Sequence, residues 1–359
     1  MEKELNSYFQ ELLDAKRIPG CALRVRRHGE LIYDRCFGVY DLAKAEPVTE
    51  NTVYRLASMT KLITAAAVMK LVEDGVLSLN DNLVKFFPDY PEEKKRVRIR
   101  HLLNHSSSLG TPGGKSEAYL MEHFRPGVTL EERIADWAQM PFDCELGETA
   151  KYSAVVNFDT LGRIIEVASG MSCEEYYRKA ILDPLGMKDT SFNLREDMAE
   201  RLAAVYNSKD GVLTEAPEVA MIDALTKPSP SYQSGSGGLY STLADYDRFT
   251  TMLAGGGILD GVRILKEETL RLMRTPRQIT DEETMPGCPW GLGFMIFEHP
   301  ERSGIFVAPG TYGWSGAFGT HMFVNEETGL SATFMVSMAD LGGADSPISR
   351  QIEKIVFGL

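Results

Sequence analysis

The chain has 359 residues, enough for two domains at roughly 150 residues each or one elaborate one, and far too many for a peptide-sized binding module. With 43% hydrophobic and 25% charged residues it has ordinary globular composition, which excludes disordered, collagen-like and coiled-coil classes. Lys plus Arg number 38 and Asp plus Glu 51, a net charge of −13 that repels polyanions; the expected partner is a small molecule, not nucleic acid or an anionic membrane.

Met1 to Gln10 alternates charged and apolar residues without an apolar run, so no secretory leader is read and a cytoplasmic protein is expected. Apolar residues at helical spacing predict a first helix over Leu5 to Leu13. Cys21 to Asp41 has strand chemistry around His28-Gly29, a two-residue hairpin turn. That turn pairs residues whose numbers sum to 57 and sets Cys21 opposite Cys36.

Helical periodicity then recurs at Leu62 to Glu73, Ile99 to Asn104, Leu130 to Gln139, Phe158 to Ala168, Glu174 to Leu182 and Ala244 to Ala254, between long Gly/Pro/Ser loops. The longest apolar stretch, Leu62 to Met69, is far shorter than the ~18 residues needed to span a bilayer. Near the end, Gly319 to Val324 and Leu330 to Met338 read as strands, and Pro347 to Phe357 as a helix. The five cysteines, Cys21, Cys36, Cys144, Cys173 and Cys288, are odd in number and contain no CxxC pair, so thiols are expected instead of a disulfide framework or zinc cage.

Both ends thus build sheet and a covering helix, while the middle is helical. The expected fold is α+β: an antiparallel sheet flanked by N- and C-terminal helices, with a mostly helical inserted domain. Residues 1–55 and 285–359 would form the discontinuous sheet domain and 56–284 the helical one, with the site at their interface.

Several motifs fail on inspection. Gly110 to Ser116 suggests a phosphate loop, but the glycine it needs is Leu109, and it follows a helix. His101 and His105 have metal-ligand spacing on a helix, yet Leu102 stands where the glutamate belongs and no third ligand is apparent. Gly313-Trp314-Ser315-Gly316-Ala317 resembles a nucleophile elbow, but its sequel reads as strand, not helix. The glycine-rich run Ser234 to Thr242 lacks a lysine and is expected to let backbone pass close to another element.

Ser58-Met59-Thr60-Lys61 stands just before the apolar helix from Leu62. Three residues apart, hydroxyl and amine share a helical face. A desolvated lysine can give up its proton and take that of the serine, and a helix N-terminus offers free N–H groups to an oxyanion. The structural alternative is a capping serine with an exposed lysine.

Further segments follow in order. Val53 to Lys61, His101-Leu-Leu-Asn-His-Ser-Ser-Ser-Leu109, Tyr152-Ser153 with Leu161 to Gly170, Gly237 to Asp245, and Trp314-Ser315-Gly316 span much of the chain. Together they resemble the serine β-lactamase and penicillin-binding-protein superfamily, in its class C β-lactamase and family VIII carboxylesterase branch. The resemblance implies that Ser58 attacks a carbonyl to form an acyl-enzyme, that Lys61 and Tyr152 share general-base duty, and that the backbone N–H groups of Ser58 and Ala317 form the oxyanion hole. It implies no metal or organic cofactor.

Two departures bear on substrate. Ala154 replaces the Asn expected two residues after the tyrosine, with Asn157 as a possible stand-in, and Trp314 replaces the lysine of Lys-Thr-Gly. Losing that cation weakens recognition of a β-lactam carboxylate, whereas an indole offers an apolar wall to a neutral ester. The expected substrate-binding residues are Trp314, Ser315, Gly316 and Asn157. Carboxylesterase activity, with acyl transfer to an alcohol as a variant, is the favoured reading. β-Lactamase or D-amino-acid peptidase activity, and a non-catalytic binding protein on the same fold, are the alternatives.

Overall fold

A computed structural model describes residues 1–359 except 228, 277–281 and 345. Its centre is a seven-stranded antiparallel sheet. The strands are β1 (Gly20–Arg27), β2 (Glu30–Asp41), β3 (Glu46–Pro47), then β6 (Met295–Phe297), β7 (Thr311–Ser315), β8 (His321–Asn325) and β9 (Leu330–Val336), in the spatial order β6-β7-β8-β9-β1-β2-β3. A two-stranded ribbon, β4 (Val53–Arg55) with β5 (Tyr240–Thr242), stands apart from it. The two halves of the sheet are therefore joined by pairing β1 from the start of the chain with β9 from its end.

Both faces of this sheet are covered, which is why its inner strands β7, β8 and β9 are buried at every position instead of alternating with solvent. Helix α1 (Glu2–Asp14) buries Leu5 and Phe9 against one face. Helix α5 (Pro347–Phe357) adds Ile348, Ile352 and Val356 to the same cluster. On the other face Thr250 of α4 (Leu243–Ala254) meets Thr333 of β9, Oγ1 to Oγ1, at 2.8 Å. Alternation decides which residue goes where: Cys21, Leu23 and Val25 point to the α1/α5 side, while Ala22 joins the larger core beneath α2 (Thr60–Glu73) and α3 (Val156–Ser169).

The hairpin turn is at His28-Gly29, with φ of 50° and 81°, the double positive φ of a tight two-residue turn. The register differs from expectation. Next to the turn Arg27 faces Glu30, but a β-bulge at Val25/Arg26 adds one residue, so Cys21 faces Phe37 and Cys36 faces Ala22. The two thiols therefore point to opposite faces of the sheet, Cys21 into the α1/α5 cluster and Cys36 against the larger core, and all five cysteines are free.

Helix α2 is buried almost all round, including Thr60, Lys61 and Thr64. It follows β4 after one short turn, and pairing of β4 with β5 brings the run Ser234 to Thr242 alongside. Gly235 there passes so close to α3 that a Cβ would clash with the Phe158 carbonyl, the close approach expected of this run. No helix among the described residues is long and apolar enough to cross a membrane.

Candidate active site

Ser58 lies in a single 3-10 turn, Ala57–Met59, between β4 and α2. Ala57 before it has φ +44°, a left-handed conformation that costs a non-glycine residue about 1–3 kcal/mol. The turn aims Ser58 away from the helix end: its side chain caps nothing, and its hydroxyl meets Lys61 and Tyr152 instead.

Lys61 is 1% exposed, and its Nζ has three neighbours, Ser58 Oγ at 3.1 Å, the Ala154 carbonyl at 2.7 Å and the Ser236 carbonyl at 2.9 Å. Carbonyls only accept, so they always claim two of its N–H bonds. The third position faces Ser58 in either protonation state, as an N–H in the ammonium or as a lone pair in the amine. Ala154 thus enters the site through its backbone.

Tyr152 Oη lies 2.7 Å from Ser58 Oγ, and the Trp314 indole N–H donates to the same phenol oxygen at 3.3 Å. His105 holds Tyr152 from both sides: its carbonyl accepts from Lys151 N at 2.9 Å and its Nδ1 from Ser153 N at 3.0 Å. Its ring packs 4.8 Å from that of Tyr152 and 4.4 Å from Trp290, which meets Trp314 edge-on at 4.7 Å. Burial, with the Lys61 charge adding, pushes the His105 imidazole well below its ordinary pKa, so it serves as a neutral acceptor.

The oxyanion candidates are likewise close together. Thr320 Oγ1 donates to the Leu56 carbonyl at 3.3 Å, so the loop between β7 and β8 packs against the Ser58 turn, and Ala317 joins Ala57 in one apolar cluster. Among the described residues the amides of Ser58 and Ala317 donate to no backbone acceptor. Gly316 is at the contact itself, where a Cβ would clash with the Leu56 carbonyl.

Two expected substrate residues are placed elsewhere. Asn157 is fully buried, accepting from Ser107 Oγ at 2.6 Å with its amide 3.4 Å from His105 Nδ1, so it braces the tyrosine loop from below instead of replacing the missing amide. Ser315 is 2% exposed and its hydroxyl lies 2.8 Å from His321 Nδ1, on the α5 side of the sheet. Strand alternation was the overlooked signal: if Trp314 faces Tyr152, Ser315 faces away.

Asp159, unanticipated, is the other finding. Fully buried, it accepts from Tyr232 Oη at 2.7 Å, Ser234 Oγ at 2.6 Å and Ser236 N at 2.9 Å, and so fixes the segment whose carbonyl holds Lys61. Burial raises its pKa even though these donors oppose the shift. A carboxylate inside an otherwise apolar helical stripe was its signal in the sequence.

The discarded motifs have structural occupations. Asp143 accepts from Ser116 N at 2.8 Å and Thr111 N at 3.2 Å, filling the Gly110–Ser116 loop with an internal carboxylate. His101 Nδ1 accepts from Arg98 N at 3.2 Å, and burial with Arg100 and Arg98 nearby pushes its pKa down to about 4. No cluster of three metal-ligating side chains occurs among the described residues.

A family model described as Beta-lactamase matches residues 5–355. Esterase EstB of Burkholderia gladioli is 29% identical over 98% of this chain and 94% of its own. Penicillin-binding protein 4 of Amycolatopsis lactamdurans is 29% identical over 88% and 80%. The solved structure of EstCE1, titled a hydrolase with promiscuous acyltransferase activity, superposes with a TM-score of 0.86 over 99% of this chain and 98% of its own at 24% identity.

Proposed function

The chain belongs to the beta-lactamase family, and on that premise we propose that it is a serine hydrolase acting through an acyl-enzyme on small carboxylic esters. The observation that carries this reading is the convergence of Lys61 Nζ and Tyr152 Oη on Ser58 Oγ, at 3.1 and 2.7 Å.

Ser58 Oγ attacks the ester carbonyl as its proton passes to Tyr152 or Lys61, the two groups in contact with its hydroxyl. The carbonyl oxygen becomes an oxyanion received by the amides of Ser58 and Ala317. Collapse breaks the acyl–oxygen bond, and the proton held by the pair goes to the departing alkoxide. Water, or an alcohol, then attacks the acyl-enzyme by the same route in reverse and releases the acid, or a new ester.

Trp314 and Trp290 support a neutral substrate, since an indole pair offers no cation to a carboxylate. The likeness to EstB supports the same choice. The test is turnover of 4-nitrophenyl acetate or butyrate, with mass spectrometry of the acyl adduct. The expected result is one acyl group on Ser58 and ester hydrolysis more efficient than nitrocefin hydrolysis. An adduct that survives in Ser58→Ala overturns the mechanism; nitrocefin as the better substrate overturns the substrate class in favour of a β-lactamase or peptidase.

A further inference from the structure

Ser315 and His321 are directly opposite each other across the β7–β8 pair, and the loop between them, residues 316–320, carries the Ala317 amide. Their side chains meet at 2.8 Å on the face of the sheet turned away from Ser58. His321 Nε2 lies 3.0 Å from Glu353 Oε1 of helix α5. Arg350 completes the chain with 3.0 Å to the other Glu353 oxygen.

Serine, imidazole and carboxylate in line suggest a second nucleophile, but exposures of 2%, 2% and 0% for the three residues leave no route for a substrate. What the set does reach is the oxyanion loop. Inside the loop, Gly316 N donates to the Thr320 carbonyl at 2.7 Å and Gly319 N to the Gly316 carbonyl at 2.9 Å, while Thr320 Oγ1 and the Phe318 carbonyl tie it to Leu56 and to Met338 N. The Ser315–His321 bond closes its base through side chains, and Glu353 anchors that base to a helix.

We propose that Ser315, His321 and Glu353 form a clamp that positions the Ala317 amide for the oxyanion from the opposite side of the sheet. The inference rests on the acyl-enzyme reading above. None of the three touches substrate, so they are positioning residues. Burial alone would push the Glu353 carboxyl up, but His321 and Arg350 hold it below the usual carboxylate range, which keeps the anchor charged.

The test compares Ser315→Ala, Ser315→Thr and Glu353→Gln in the full chain. Removing an oxyanion donor costs about 10²–10³ in kcat, so a donor left in place but loosely held is expected to cost about tenfold. Ser315→Ala and Glu353→Gln are expected to lower kcat and the rate of fluorophosphonate labelling of Ser58 together, with KM within about twofold of wild type, since the clamp serves the transition state. Ser315→Thr, which keeps the hydroxyl, is expected to recover most of the loss. Amide exchange at Gly316 and Gly319 is expected to quicken in Ser315→Ala while α2 stays protected.

Wild-type kcat and wild-type exchange in folded Ser315→Ala overturn the clamp, as does an adduct on Ser315. If Ser315→Ala does not fold, Glu353→Gln carries the same split. If the wild-type protein neither turns over esters nor labels, the acyl-enzyme reading fails on its own, and the exchange experiment still decides whether the clamp exists.

Discussion

Ser58 shares its hydroxyl with Lys61 and Tyr152 at the start of a helix, whereas Ser315 shares its own with His321 beneath another helix, some of the same chemistry on the opposite side of the sheet. Ser58 is partly exposed, as are Tyr152 and Ala317 around it; Ser315, His321 and Glu353 are sealed. Ser58 has a strained residue before it and free amides beside it, while Ser315 continues a regular strand. A hydroxyl bonded to a base is therefore no sufficient mark of a nucleophile. Access and an oxyanion receptor separate the two, and without them the same bond becomes a fastening.

The sharpest way to break this contrast is Ser58→Ala. It is expected to abolish the acyl adduct and lower ester turnover by at least about a thousandfold, the scale seen when a nucleophile is removed. Substantial turnover assigned to Ser315 would reverse the comparison. Tyr152→Phe comes next. It keeps the ring against His105 and Trp290 but removes Oη, and kcat is expected to fall about 10²–10⁴-fold, the range of a lost general base. The thermal midpoint is expected to stay near wild type, because the aromatic packing survives.

At the sealed centre the larger signal is stability. The Glu353 pKa is lower folded than unfolded, so its contribution is fully present above the unfolded value, near 4.5, and is lost as pH falls through the lower folded value. Glu353→Gln, which leaves His321 and Arg350 without their carboxylate, is expected to cost about 3 kcal/mol at pH 7, the scale for breaking a buried ion pair. The deficit is expected to shrink as the pH is lowered below 4.5 in urea titrations. A pH-independent deficit would mean that packing, not charge, holds the helix to the strand.

The sequence made these two centres unequally legible, for a physical reason. Ser58 and Lys61 are local: three residues on one helical turn, readable from spacing. Tyr152 was reachable only through resemblance, because 94 residues separate it from Ser58. Ser315 was legible as a motif position but assigned to the wrong face, since a strand's orientation is set by which side of the sheet its neighbours cover. The hairpin failed in a related way: the turn at His28-Gly29 was right, yet a single bulge moved Cys21 away from Cys36. His321 and Glu353 left no trace, because their role depends on packing between β8 and a helix that ends the chain. The α+β architecture with helices from both termini was readable from pattern.

Trp314 gives the smallest test and the one that joins the two faces, because it is the strand neighbour of Ser315 and the hydrogen-bond donor to Tyr152. Its indole N–H at 3.3 Å from Oη is a neutral substitute for a cation: it stabilises negative charge on the phenol oxygen without presenting a positive charge to the substrate. Trp314→Phe keeps the apolar wall against Trp290 and deletes only that donor. A net hydrogen bond is worth about 0.5–1.5 kcal/mol, so kcat is expected to fall about two- to tenfold, with KM for 4-nitrophenyl butyrate little changed. A loss confined to KM would instead assign Trp314 to substrate packing alone, and would leave Tyr152 to be oriented by His105 and Lys61.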